Sequence, residues 1–117
     1  VAEADDGYEL VVKLDSGRFQ TVYVSEEHDE KQGLDFIRIF TPCAHANSSA
    51  FKWALETNGK LMHGAIGIRQ VGGTEMFVIA DTYPTAMVTR ARVRDAVFAI
   101  AETGDAVEKG MTRADRL

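Results

Sequence analysis

Short apolar runs separated by polar turns fill the first third of the chain and predict three β-strands. Residues 8–14 are rich in β-branched side chains and end in an Asp-Ser-Gly turn. Residues 18–26 alternate apolar and polar positions, so the two runs predict a hairpin. A polar loop follows over residues 26–33, and residues 35–41 predict a third strand that Pro42 stops.

After Pro42 the spacing of apolar residues changes, and the new spacing predicts a short helix followed by a second hairpin. Capping side chains at Asn47, Ser48 and Ser49 precede apolar positions at helical spacing, and Gly59 ends the helix. The apolar runs 63–71 and 75–80 are joined by Gly72-Gly73-Thr74, which predicts a hairpin. The sequence Asp81-Thr82-Tyr83-Pro84 predicts the turn that ends it.

The last part of the chain predicts a long amphipathic helix. Thr89 offers a capping hydroxyl, and small or apolar residues then repeat every three or four positions. This stripe consists of Val93, Ala96, Val97, Ile100, Gly104, Val107 and Met111. With the hairpins, it predicts a single α+β domain over residues 1–117, of order βββαββα, with an antiparallel sheet and helices packed on it.

The predicted strands carry apolar residues on both faces, which bears on function. Residues 10–12, 36–40 and 77–79 each place apolar groups on opposite sides of a strand, so the sheet needs two covers. The helices supply one, and a second subunit or a bound polypeptide is the expected other. The alternative is that edge curvature, long polar side chains and the termini shield the second face.

The predicted contact residues lie on the third and fourth strands. We expect a homodimer with a symmetric two-fold interface, and unpaired edges or grooves where an extended segment of another protein adds as a strand. The candidate protein-binding residues are Phe36, Arg38 and Phe40 on one face of the third strand, with Ile66 and Ile68 as neighbours.

Charge and composition exclude several classes of partner. The net charge is -5, and residues 1–35 hold ten acids against three bases. Nucleic-acid binding is therefore not expected, and Arg90, Arg92 and Arg94 form no single patch because helical positions two apart point to nearly opposite sides. No apolar run is long enough for a membrane span. A lone cysteine and the absence of a signal-peptide pattern favour the cytoplasm.

The residues that carry chemistry do not assemble into a catalytic or metal-binding motif. Cys43 and His45 bring a thiol and an imidazole close in sequence, but catalytic partners normally converge from distant positions. A cysteine that packs as a small hydrophobe is the favoured interpretation. The histidines and Cys43 match no metal spacing, and Asp81 beside Tyr83 is interpreted as part of a turn. No catalytic residue, metal or cofactor is predicted.

The second half of the chain resembles the YbjN-like family. The segments that carry this resemblance are Asn58-Gly59-Lys60-Leu61, Gly64-Ala65-Ile66-Gly67-Ile68, Asp81-Thr82-Tyr83-Pro84 and the last helix through Val97, Ile100, Ala101 and Asp105. The resemblance implies the fold of type III secretion chaperones: a curved antiparallel sheet with helices, commonly dimeric, holding polypeptide on an apolar surface. It implies no catalytic residues. Those chaperones begin with a helix before the first strand, whereas only seven residues precede Tyr8, and Thr103-Gly104-Asp105 departs from the alanine that precedes aspartate in the family.

Together these observations predict a non-enzymatic protein-binding module, chaperone-like or regulatory, whose first partner is itself. Two alternatives remain open. One is a small-molecule sensor with a closed apolar pocket between the last helix and the sheet. The other is a cysteine-dependent enzyme with a cleft at Cys43.

Overall fold

The chain forms one antiparallel sheet with both α-helices on the same face. The structure is a computed structural model that describes residues 2–4 and 7–115, with the backbone alone for 2–4 and 113–115. The strands are β1 (Ala2–Ala4), β2 (Gly7–Lys13), β3 (Phe19–Asp29), β4 (Leu34–His45), β5 (Ala65–Val71) and β6 (Thr74–Pro84). They lie in the order β1-β2-β3-β4-β6-β5, and every neighbouring pair is antiparallel. The helices are α1 (Phe51–Asn58) and α2 (Arg90–Asp115), with 3-10 turns at Ser48–Ala50 and Thr85–Met87. The predicted α+β class is confirmed.

Two strands run further than the sequence predicted. β4 continues through Pro42 to His45, because Pro42 lies beyond the last residue pair with β3 and is paired only with Val78 of β6. A proline there costs no bond to β3, and a bulge between Pro42 and Ala44 accommodates it. β3 likewise extends to Asp29, into the segment predicted as a polar loop, and β1 is a strand that the sequence did not predict.

The predicted turn Asp81-Thr82-Tyr83-Pro84 is wrong, because these residues are the last four of β6. Asp81 pairs with Ile39, and Tyr83 pairs with Ile37, so β6 spans almost the whole length of β4. Pro84 ends the strand, and the chain reverses through Thr85–Met87 before α2 begins.

The long C-terminal helix is confirmed, together with its cap. The Thr89 hydroxyl accepts a hydrogen bond from the Arg92 N–H at 3.2 Å, which satisfies one of the free donors of the first turn. The predicted stripe faces the sheet: Val97, Ile100, Val107 and Met111 are buried with Val22, Ile39 and Ile79 of the strands. The core therefore lies between α2 and the middle of the sheet.

α2 approaches β4 most closely at Gly104. A Cβ atom there would lie well inside 3.0 Å of Thr41 Cγ2, so only glycine fits without movement. Thr41 is fully buried, and its hydroxyl donates to the Thr21 carbonyl at 2.6 Å and accepts from Gln20 Nε2 at 2.8 Å. This contact fixes the distance between helix and sheet.

α1 lies beside the β5 edge of the sheet. Asn58 Oδ1 accepts from the Ile66 N–H at 2.6 Å, and Asn58 Nδ2 donates to the Ile66 carbonyl at 3.2 Å. Gly59 follows α1 in a right-handed conformation, so its predicted role as the helix stop uses no left-handed turn. Among the described residues, no helix is long and apolar enough to cross a membrane.

Candidate functional site

The five predicted contact residues lie on two different faces of the sheet. Cross-strand pairing puts Phe36, Arg38 and Phe40 on the face without helices, which we call the open face. Ile66 and Ile68 pair with Ile79 and Phe77 of the buried core, so they lie on the helix-covered face. The prediction that they neighbour the β4 residues is therefore wrong, because Ile66 and Ile68 are shifted by one position relative to the open-face residues of β5.

Phe40 is covered by its own chain. Its ring stacks on Tyr23 with centroids 5.1 Å apart and an interplanar angle of 19°, and the Arg69 guanidinium lies 4.4 Å from its centroid. Phe40 is only 8% exposed, and Val78 on the same face is also buried. At these positions, neighbouring side chains provide the second cover that the apolar residues on both faces of the strands require.

Arg38 is likewise held within the open face. Arg38 Nη1 lies 3.0 Å from Glu27 Oε1, and Arg38 Nε donates to the Thr82 hydroxyl at 3.3 Å. The side chain thus bridges β3 and β6 across β4. Phe36 beside it is half-buried and remains available for contact.

A large groove lies on the other face, between the first half of α2 and the strands β2, β3 and β4. It encloses about 1180 Å³ and is open to solvent. The side chains that line it are mainly apolar: Leu10, Val12, Val24 and Ile37 from the strands, and Val93, Val97 and Phe98 from α2. Phe98 is 46% exposed, and Tyr8 at the outer side of the groove is 51% exposed.

Two of the three charged side chains that face the groove are basic. They are Arg90 and Arg94 of α2, and the third is the acid Glu26 of β3. Arg90 and Arg94 are one helical turn apart and form no ion pair within the described part of the chain. Thr85 lies at one end, and its hydroxyl oxygen is buried without a hydrogen-bond partner.

Arg92 between them conceals this basic pair in the sequence, because the three arginines taken together form no single patch. Arg92 does not line the groove, as the two-residue spacing predicted, but Arg90 and Arg94 do. Their spacing of four residues was the available signal, since positions i and i+4 share a helix face.

The groove ends where α2 is tied to the β2–β3 turn. Arg18 from this turn forms an ion pair with Asp105, and Lys109 Nζ lies 3.6 Å from the same carboxylate. The hydrogen bond from Arg18 is the main cause that lowers the pKa of Asp105 below 3.8, and burial opposes it. Asp105 follows Phe98 by seven residues, or about 10 Å of helix. The tie therefore holds α2 against the sheet at one end and leaves its first half apart from β2.

Cys43 and His45 do not form a catalytic pair. Cys43 packs in the core, and its Sγ donates to the Thr41 carbonyl at 3.7 Å, whereas His45 is exposed at the end of β4. Burial, followed by the charge of Glu108, raises the pKa of Cys43 to about 12, so the thiol is protonated at neutral pH. Its predicted packing as a small hydrophobe is confirmed.

Asp81 and Tyr83 are joined by a hydrogen bond on the helix-covered face. The Tyr83 hydroxyl donates to Asp81 Oδ2 at 2.8 Å. Burial is the main cause that raises the pKa of Tyr83 to about 12, and the Asp81 carboxylate adds to it. Within residues 7–112, no three His, Cys, Asp or Glu side chains come together in a metal-binding arrangement.

No protein-family model matches the chain, and no curated protein matches it either. The resemblance to the YbjN-like family therefore stays a prediction from the sequence.

Proposed function

We propose that this protein is a non-enzymatic protein-binding module that holds a polypeptide segment of a partner in the groove between α2 and β2. The observation that supports this is a mainly apolar groove of about 1180 Å³ that lies open to solvent beside the core. Large uncovered apolar surfaces on small domains commonly mark interaction sites.

The shape of the groove favours a polypeptide over a small molecule. Small-molecule sites bury most of the surface of their ligand and commonly enclose about 300–1,000 Å³. This groove is larger and open to solvent, so a compact ligand would stay exposed along that opening. A small-molecule sensor would instead need a closed pocket between α2 and the sheet.

The non-enzymatic part of the proposal is supported by the state of Cys43. A cysteine nucleophile needs a thiolate that the substrate can reach. Cys43 is 4% exposed, and its raised pKa keeps it protonated.

Self-association and a chaperone-like fold also belong to the proposal. A second copy on the open face would cover Phe36 together with the exposed side chains of Val11 and Phe19, since Phe40 is already covered. The groove lies on the opposite face, so a dimer of this kind leaves it free for a different partner.

Selection from a phage-displayed random-peptide library tests the groove directly. We expect peptides selected on the wild-type protein to lose binding to Phe98→Glu, which places a charge in the groove. They should bind Leu55→Glu normally, because Leu55 is 73% exposed on α1 and does not line the groove. Both substitutions are at exposed positions, and circular dichroism checks that both variants fold.

Two results would contradict the proposal. One is that no peptide is enriched over an unrelated control protein. The other is that selected peptides bind both variants equally well. If long-chain fatty acids raise the melting temperature of the wild type but not of Phe98→Glu, and no peptide binds, the site is a small-molecule site.

A further inference from the structure

The helical layer over the sheet is incomplete. Six strands spaced about 4.8 Å apart make a sheet about 24 Å across, whereas packed helices lie about 8–10 Å apart. α2 packs on β3, β4 and β6, and α1 packs beside β5. In the part of the chain that the structure describes, no helix lies on the helix-covered face above β2, and the width of this uncovered part is about that of one helix.

The length of the uncovered part of the sheet above β2 also matches that of a helix. On the α2 side, the groove is lined from Arg90 to Phe98, about 12 Å at 1.5 Å per residue, and Val88 and Thr89 extend the lining before the first turn of the helix. A helix of about 10–12 residues, an ordinary length in globular proteins, matches this distance. Such a helix would place one apolar stripe on Leu10 and Val24, which are partly buried side chains on the core-facing side of β2 and β3.

The charges beside the uncovered part of the sheet indicate which charged residues should flank the apolar stripe of the occupying helix. Arg90 and Arg94 lie on the α2 side of the groove without ion-pair partners among the described residues, in a chain whose net charge is -5. Carboxylates on an occupant would pair with them, whereas lysines there would meet like charge. The net negative charge of the protein disfavours acidic segments elsewhere on its surface. The basic pair therefore favours an acidic occupant at this position only.

We propose that the segment held in the groove is a single amphipathic α-helix of a partner protein, with acidic residues along the side that faces Arg90 and Arg94. This inference rests on the proposed function and specifies the chemistry of the partner. The helix completes the layer that α1 and α2 begin, and its apolar stripe covers the core beside β2.

Two synthetic peptides of about 14 residues test this proposal. Both carry the same leucine stripe at helical spacing; one has glutamates along the flank of the stripe and the other has lysines. Fluorescence anisotropy measures the affinity of each, and circular dichroism measures the helix gained on binding. We expect the glutamate peptide to bind at least about tenfold more tightly than the lysine peptide, with a gain of helix.

The charge on α2 is then reversed. In the Arg90→Glu/Arg94→Glu variant, the preference should change in favour of the lysine peptide. Arg92→Glu is the matched control: it alters the same helix by the same kind of substitution but lies outside the groove, so the preference for glutamate should persist. All three arginines are exposed, so neither variant should lose its fold.

The outcomes separate this inference from the proposed function. Equal affinity for the two peptides, or binding without a gain of helix, overturns the acidic helix. If neither peptide binds while library-selected peptides still do, the acidic helix is wrong and the protein-binding function stands. If library selection fails as well, the function itself is wrong. A dimer that Phe98→Glu dissociates would mean that a second copy occupies the groove, which also overturns the inference.

Discussion

Replacement of Gly104 by alanine should destabilise the protein, although alanine is the better helix former. Alanine in a helix gains about 1 kcal/mol over glycine. Against this, the new methyl group would overlap Thr41 Cγ2, and overpacking of a core typically costs about 1–3 kcal/mol. Thr41 cannot rotate away without losing its hydrogen bonds to Thr21 and Gln20, each worth about 1 kcal/mol. We expect a net loss of about 2 kcal/mol in the free energy of unfolding.

Urea titration and thermal melting measure this loss, which corresponds to a fall of about 8 °C in melting temperature. Ala106→Gly is the control for helix propensity, because Ala106 is exposed on the same helix; it should cost about 1 kcal/mol. In the double variant Gly104→Ala/Thr41→Ser, the methyl group of Thr41 is absent and the hydroxyl remains, so part of the stability should return. A Gly104→Ala variant more stable than the wild type would refute the close contact between α2 and β4.

Three further predictions concern ionisation and assembly. The pKa of Asp105 is lowered in the folded state, so its carboxylate contributes to the free energy of unfolding above pH 3.8, and this contribution is lost as the pH falls through the lower folded pKa. Asp105→Asn should therefore flatten the acid side of a stability–pH curve. An unchanged slope would count against the ion pair with Arg18. The Cys43 thiol should react with Ellman's reagent only upon unfolding, and rapid labelling of the native protein would contradict its burial. Its raised pKa also predicts that the protein loses stability as the pH rises from 9 towards about 12, because the unfolded state loses the thiol proton first. Light scattering should give the mass of a dimer that falls to that of one chain in Phe36→Ser, and a wild-type protein that is monomeric at high micromolar concentration would show that the homodimer is wrong.

The pattern of apolar positions predicted most elements because most of them obey one local rule. The stripe from Val93 to Met111 has the helical period throughout, and Thr89 marks its start, so α2 was predictable almost to its first residue. Pro42 shows where local rules fail. A proline normally ends a strand, as Pro84 ends β6, yet Pro42 is tolerated within β4 because β3 does not pair with it. Only the tertiary arrangement determines which residues pair.

The candidate groove could be predicted only in part. The sequence indicated an apolar surface in excess of what two helices cover, but it placed that surface on the face of Phe40 instead of beside β2. The covers of Phe40 are Tyr23 and Arg69, which are distant from it in sequence and come together only in the folded sheet. The vacancy beside β2 depends on the line that α2 takes across the sheet, which Gly104 and the Arg18–Asp105 ion pair fix through contacts between distant residues.

The amide side chain of Asn58 gives the sheet a built-in termination signal. Antiparallel sheets extend when an incoming chain finds peptide groups that point outward from the last strand. At Ile66, the carboxamide of Asn58 occupies both groups, as the backbone of a seventh strand would. Further along β5, only residues 67–71 remain for pairing, too few for a long ladder. Without this amide, Ile66 would offer both of its outward backbone groups to an incoming strand, so this one side chain shortens the edge that β5 leaves open for pairing.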